Sequence, residues 1–136
     1  MDRKMLIEAA LEARKHSYSP YSHYRVGAAI LCSDGTVVTG ANIENASYGA
    51  TVCAERCAVF TAVASDKKDF TAIAICGGAG DEADDYAFPC GVCRQVLREF
   101  TDPASFKVIV AKNEDDYREY TLEELLPESF GPDNLK

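Results

Sequence analysis

Two segments of this chain each open a helix with cysteine: Cys53-Ala54-Glu55 and Pro89-Cys90-Gly91-Val92-Cys93. This pair restricts the fold more than any other feature. Each segment follows a loop after a strand, so both helix starts are expected to meet beyond one edge of a sheet. Zinc favours thiolate ligands in tetrahedral geometry, and a catalytic site keeps three protein ligands and leaves the fourth position to water. Cys53, Cys90 and Cys93 supply three. Free amides and the positive dipole end at a helix N-terminus stabilise thiolates.

Other readings of the cysteines have to be weighed. Cys90-Gly91-Val92-Cys93 alone suits a redox dithiol or half of a structural zinc site, but a redox pair leaves Cys53 and Glu55 unexplained. A closed structural site needs a fourth ligand, for which Cys32, Cys57 and Cys76 are the candidates. Cys57 lies one turn inside from Cys53, and the other two sit in or at the end of apolar strands, so core packing is expected for all three. His16 and His23 read as surface or packing residues. Glu55, two residues from a ligand in the first helical turn, is placed to move protons at the open metal position without coordinating. Arg56 beside it is expected to offset the excess charge of three thiolates on a divalent ion.

The remaining pattern supplies the frame. Met5 to His16 reads as an amphipathic helix ended by Ser17 and Pro20. Arg25 to Cys32 and Thr36 to Gly40 flank Asp34-Gly35 as a hairpin. Cys53 to Ser65 is a nearly all-apolar helix, Phe70 to Cys76 a buried strand, and Gly77 to Asp85 a Gly- and Asp-rich loop. Cys90 to Phe100 is helical, Lys107 to Ala111 a strand, and Arg118 to Thr121 a short edge strand. Leu122 to Leu126 is a last helix, with tail from Pro127. The order αββαβαββα predicts an α/β fold: one mixed sheet with helices on both faces, as a single domain over residues 1–136.

Composition narrows the partners. With 136 residues, 47% of them hydrophobic, the chain can close a core without disulfide staples. A net charge of −8 and no basic stretch disfavour nucleic acid, whose binding rests on Lys and Arg contacts to phosphate. No apolar run approaches the ~20 residues that span a bilayer, so no membrane partner is expected. The charged start Met1-Asp2-Arg3-Lys4-Met5 is unlike a signal peptide. A cytoplasmic location is therefore expected, with metal ligands, a redox pair or core packing in place of disulfides. It also demotes the acceptor-like Asn45-Ala46-Ser47.

On these motifs the sequence resembles the small, homotetrameric, zinc-dependent cytidine deaminases. The likeness covers nearly the whole chain. Tyr18-Ser19-Pro20-Tyr21-Ser22-His23-Tyr24-Arg25-Val26-Gly27-Ala28-Ala29 is similar to the family's N-terminal signature, and Asn42-Ile43-Glu44-Asn45-Ala46-Ser47-Tyr48-Gly49 to its ribose-binding loop. Cys53-Ala54-Glu55-Arg56 and Pro89-Cys90-Gly91-Val92-Cys93-Arg94-Gln95 resemble its two zinc helices, which also match the general signature of zinc deaminases. The resemblance implies one Zn²⁺ per chain on Cys53, Cys90 and Cys93, with Glu55 as proton shuttle. It implies that Asn42 and Glu44 bind the sugar 3′-hydroxyl and that the residue at 24 stacks near the base. That residue is commonly Phe in the family and is Tyr24 here. Phe130 matches the family's C-terminal aromatic that reaches a neighbouring subunit's site, which implies a homotetramer with shared active sites.

The expected function is thus hydrolytic deamination of cytidine and 2′-deoxycytidine to uridine and 2′-deoxyuridine, with release of ammonia, in pyrimidine salvage. The rivals are a deaminase of another aminonucleoside, a nucleic-acid cytosine editor, and a non-enzymatic zinc-stabilised domain.

Overall fold

The structure is a computed structural model describing residues 1–136. Its elements are α1 (Arg3–Arg14), β1 (Arg25–Cys32), β2 (Val37–Ala41), α2 (Ala54–Ala64) and β3 (Phe70–Gly78). They continue as α3 (Gly91–Glu99), β4 (Lys107–Asn113), β5 (Asp116–Thr121) and α4 (Leu122–Leu125), with short 3₁₀ turns at Tyr48–Ala50 and Pro132–Leu135. The order matches the sequence expectation, and β1 keeps its bounds. Helix α1 starts two residues earlier than periodicity suggests, because Asp2 accepts from the Met5 amide and caps it. Strand β5 starts earlier than expected because Asp116 still pairs with Asn113 across a bulge in the β4–β5 hairpin.

The sheet order is β2-β1-β3-β4-β5. Strand β1 is antiparallel to both β2 and β3, so β2 and β3 point the same way. Their C-terminal ends therefore share one edge of the sheet. The loops leaving that edge feed α2 and α3, which brings the two cysteine-bearing helix starts to the same place.

Alternation along the strands sorts the core into two layers. Ala28, Ile30, Ile73, Ile75, Val108 and Val110 face α2 and α3. Ala29, Ala72, Ala74, Cys76, Ile109 and Ala111 face Leu6, Ile7 and Ala10 of α1. The second face is mostly alanine, which lets a single helix settle close to it. On the first face Gly40 of β2 admits α2: a Cβ there would come within 2.6 Å of the Ala54 carbonyl and 2.5 Å of the Ala58 amide nitrogen. The missing side chain sets how near the cysteine-bearing end of α2 lies to the sheet.

Arg14, in the last turn of α1, is buried and fixes the loop after β3. Its guanidinium donates to the carbonyls of Arg25 (3.0 Å), Gly78 (2.7 Å), Gly80 (2.5 Å), Asp81 (3.0 Å) and Glu82 (3.1 Å). A planar cation with five N–H donors suits this cluster of acceptors.

Candidate active site

Cys53 and Cys90 are the N-cap residues of α2 and α3, and Cys93 sits in the first turn of α3. The Cys53 and Cys90 sulfurs are 3.9 Å apart, those of Cys90 and Cys93 3.5 Å, and all three lie within 4.8 Å of one another. Tetrahedral zinc with ~2.3 Å bonds to sulfur requires S···S separations of about 3.8 Å. The cluster fits one zinc ion and is too open for any disulfide; all six cysteines are free thiols. Cys32 and Cys76 are buried in the core and Cys57 is half-buried within α2, so none of the three joins the cluster. His16 and His23 stand outside it as well.

The thiols are tuned as a group. Cys53 is pushed down to about 5 by a hydrogen bond from Cys93 and by others from Arg56 and Cys90, against the cost of burial. Cys93 is pushed up by its hydrogen bond with Cys53 and by its own burial. Arg56 donates from Nη2 to Cys53 Sγ at 3.4 Å, and its buried Nε has no hydrogen-bond partner. The guanidinium thus stands against the thiolate group, as charge compensation requires.

Glu55 is 4% exposed, in the first turn of α2. Burial pushes its carboxyl up to about 7, and the neighbouring Cys53 thiolate adds to the shift. A carboxyl near neutral pH can both accept and release a proton, which is what acid–base chemistry asks of it.

Beside these groups lies a cavity of about 500 Å³. Glu55, Cys53 and Cys90 line it, as do Tyr24, Asn42 and Glu44. Asn42 is held firmly: its Oδ1 accepts from the Val26 amide (2.9 Å) and the Ser17 hydroxyl (2.5 Å), and its Nδ2 donates to the Tyr24 carbonyl (2.8 Å). One Nδ2 proton remains. Glu44 accepts from the amides of Tyr21 (3.0 Å) and Ser22 (3.1 Å) and from the Ser22 hydroxyl (2.5 Å). These bonds, the Ser22 hydroxyl foremost, hold its carboxyl below the usual carboxylate range. The pair offers one spare donor and a spare acceptor site, the complement of a hydroxyl group.

Of the residues expected at the site, only Phe130 lies apart. It is 57% exposed, does not line this cavity, and is tethered by its carbonyl to Gln95 Nε2 at 2.9 Å. Residues that sequence reasoning passed over also line the cavity: Ser22, Thr51, Tyr86 and Phe88. Ser22 has no strand signal, because it lies in the turn before β1 and a positive φ at His23 breaks the alternation. Tyr86 and Phe88 have none, because a loop delivers them.

Residues 1–111 match the family model described as "Cytidine and deoxycytidylate deaminase zinc-binding region". A cytidine deaminase of Halalkalibacterium halodurans is 47% identical over 135 residues, covering 99% of this chain and 98% of that protein. One from Mycobacterium tuberculosis is 42% identical over 136 residues, covering 99% and 94%. Among solved structures, the cytidine deaminase of Burkholderia pseudomallei superposes with a TM-score of 0.86 at 43% identity, covering 96% of this chain and all of that one.

Proposed function

The chain belongs to the cytidine and deoxycytidylate deaminase zinc-binding family, and from that membership we propose that it hydrolyses cytidine and 2′-deoxycytidine to uridine and 2′-deoxyuridine, releasing ammonia. The observation that carries the reading is the placing of buried Glu55 between a three-thiol cluster and a cavity whose polar lining complements a sugar hydroxyl.

Cys53, Cys90 and Cys93 hold one zinc ion. Zinc, when bound, supplies the Lewis acidity that makes water nucleophilic near neutral pH. Glu55 accepts the proton of the attacking water as its oxygen bonds to C4 of the base, and passes that proton to N3. It then takes the remaining proton from the new C4 hydroxyl and delivers it to the amine as the C4–N bond breaks and the C4 carbonyl forms. Arg56 balances the thiolates, which would otherwise blunt the acidity that zinc confers. Asn42 donates to the 3′-hydroxyl oxygen and Glu44 accepts its proton, while the Tyr24 ring forms a wall for the base. The Glu44 carboxylate disfavours a phosphate near it.

The site is completed in a homotetramer, where Phe130 enters a neighbour's cavity. The support is its exposure, its place outside its own chain's cavity, and the tail's lack of a core of its own. The whole chain acts as one domain. Six free thiols suit a reducing compartment, so we place the protein in the cytoplasm, in pyrimidine salvage.

Substrate scope tests this reading. Cytidine and 2′-deoxycytidine should lose their absorbance and release equimolar ammonia, while CMP and free cytosine should react poorly. Comparable kcat/KM for CMP and cytidine would remove Glu44 from its assigned role.

A further inference from the structure

Tyr24 forms a wall of the cavity, and its hydroxyl donates to Asp85 Oδ2 at 3.1 Å. Asp85 does not line the cavity, and nothing in the deamination chemistry calls for it. The surroundings show what the contact does. The Tyr24 backbone is clamped at both ends: its amide donates to the Ser22 hydroxyl (3.0 Å) and its carbonyl accepts from Asn42 (2.8 Å). Its ring lies over Gly77, where a Cβ would stand 3.3 Å from Tyr24 Cε1 and 2.7 Å from the Ala87 side chain. Only the far end of the ring then needs fixing.

Asp85 is itself fixed. Its amide donates to the Gly77 carbonyl at 3.1 Å, and the loop before it is gathered by Arg14 through the carbonyls of Gly78, Gly80, Asp81 and Glu82. The exposed Asp85 carboxylate therefore springs from a backbone that is held in place. Burial, and after it the bond to Asp85, pushes the Tyr24 phenol up to about 12, so it stays a donor at every working pH. A chain of contacts follows, from Glu44 through the Ser22 hydroxyl to Tyr24 and on to Asp85. It ties the Glu44 carboxylate to the Tyr24 wall.

We propose that Asp85 is a positioning residue for nucleoside binding, which holds the Tyr24 ring through its phenol so that the base meets a preformed wall. A phenylalanine at this position could not be held in that way. The inference rests on the deaminase reading, and fixing a wall before the ligand arrives favours binding, because less motion is lost on association. The chemical step at Glu55 is left alone.

A double-mutant cycle on the full-length, zinc-loaded protein tests this. Asp85→Ala should raise KM for cytidine roughly 5- to 10-fold, the range for losing one ordinary net hydrogen bond, with kcat within about twofold. Tyr24→Phe should raise KM by a similar factor. In the Tyr24→Phe background, Asp85→Ala should add less than about 1.5-fold, because its only route to the substrate is gone. Asp85→Asn, which keeps an acceptor oxygen, should recover most of the wild-type KM and covers the case in which the alanine variant folds poorly. Additive effects, an unchanged KM in Asp85→Ala, or a fall in kcat alone would overturn the proposal. Wild-type turnover of cytidine, measured first, separates a failure of the deaminase reading from a failure of the pair.

Discussion

The sulfurs of Cys53 and Cys90 lie 3.9 Å apart although 37 residues separate them in the chain. Two helices starting from one sheet edge bring them there, so a metal at this point crosslinks α2 to α3. Removing it with a chelator should therefore destabilise the fold as well as end turnover. A lower Tm that zinc restores is expected, and Cys90→Ala should behave like the chelated wild type. An unchanged Tm in fully zinc-free protein would show that the thiols carry no structural load.

Arg14 gathers five carbonyl oxygens with no carboxylate beside it in the hydrogen-bond set. Arg14→Met keeps much of the side-chain volume but leaves those acceptors short of a charged donor. We expect a loss of about 3 kcal/mol or more in denaturant unfolding. Arg14→Lys should lose less, since it retains the charge but not the fork. Equal stability of all three proteins would contradict the anchoring role.

Arg3 clasps Glu119 with two hydrogen bonds, Nε to Oε1 at 2.5 Å and Nη2 to Oε2 at 3.2 Å, and so ties α1 to β5. The hydrogen bond from Arg3 holds the Glu119 carboxyl below its ordinary value. Its contribution to stability is thus complete above the ordinary carboxylate pKa of about 4.3 and is lost as pH falls through the lower folded value. The gap in urea midpoint between wild type and Glu119→Gln should be largest near pH 7 and close as the solution becomes strongly acidic. A gap that stays constant with pH would mean that the pair contributes nothing by its charge.

Subunit sharing has its own test. Mixing Glu55→Ala chains with Phe130→Ala chains under mild dissociation creates sites that combine an intact Glu55 with a neighbour's intact Phe130. Those sites should regain the low KM that Phe130→Ala alone loses. A monomer by light scattering, or no recovery despite proven mixing, would defeat the shared site.

The parts of the molecule that repeat or cap were legible in sequence, and the parts recruited by loops were not. Strand β1 could be read to the residue because an apolar run ends at Asp34-Gly35. The helices α2 and α3 start one residue after their cysteines, which serve as caps, so the motif was right and the boundary shifted by one. Asn42 and Glu44 were found, but not that most of their bonding capacity goes to the protein itself. Tyr86 and Phe88 line the cavity, and Asp85 meets the Tyr24 hydroxyl, on one loop shaped by Arg14 and β5. Tyr86 is gripped between Lys112 and Arg118 and bonded to Asp116, and Phe88 packs on Tyr120. Such contacts join distant segments and leave no local periodicity to detect.

Glu55 carries the central claim: a buried carboxyl beside the thiol cluster that moves protons and does not bind metal. The decisive measurement takes zinc content and cytidine turnover together on wild type and Glu55→Gln. One zinc per chain is expected in both, with turnover in the variant reduced by at least about 10²- to 10⁴-fold. Loss of zinc along with activity, or a variant that keeps near-normal turnover, would contradict it.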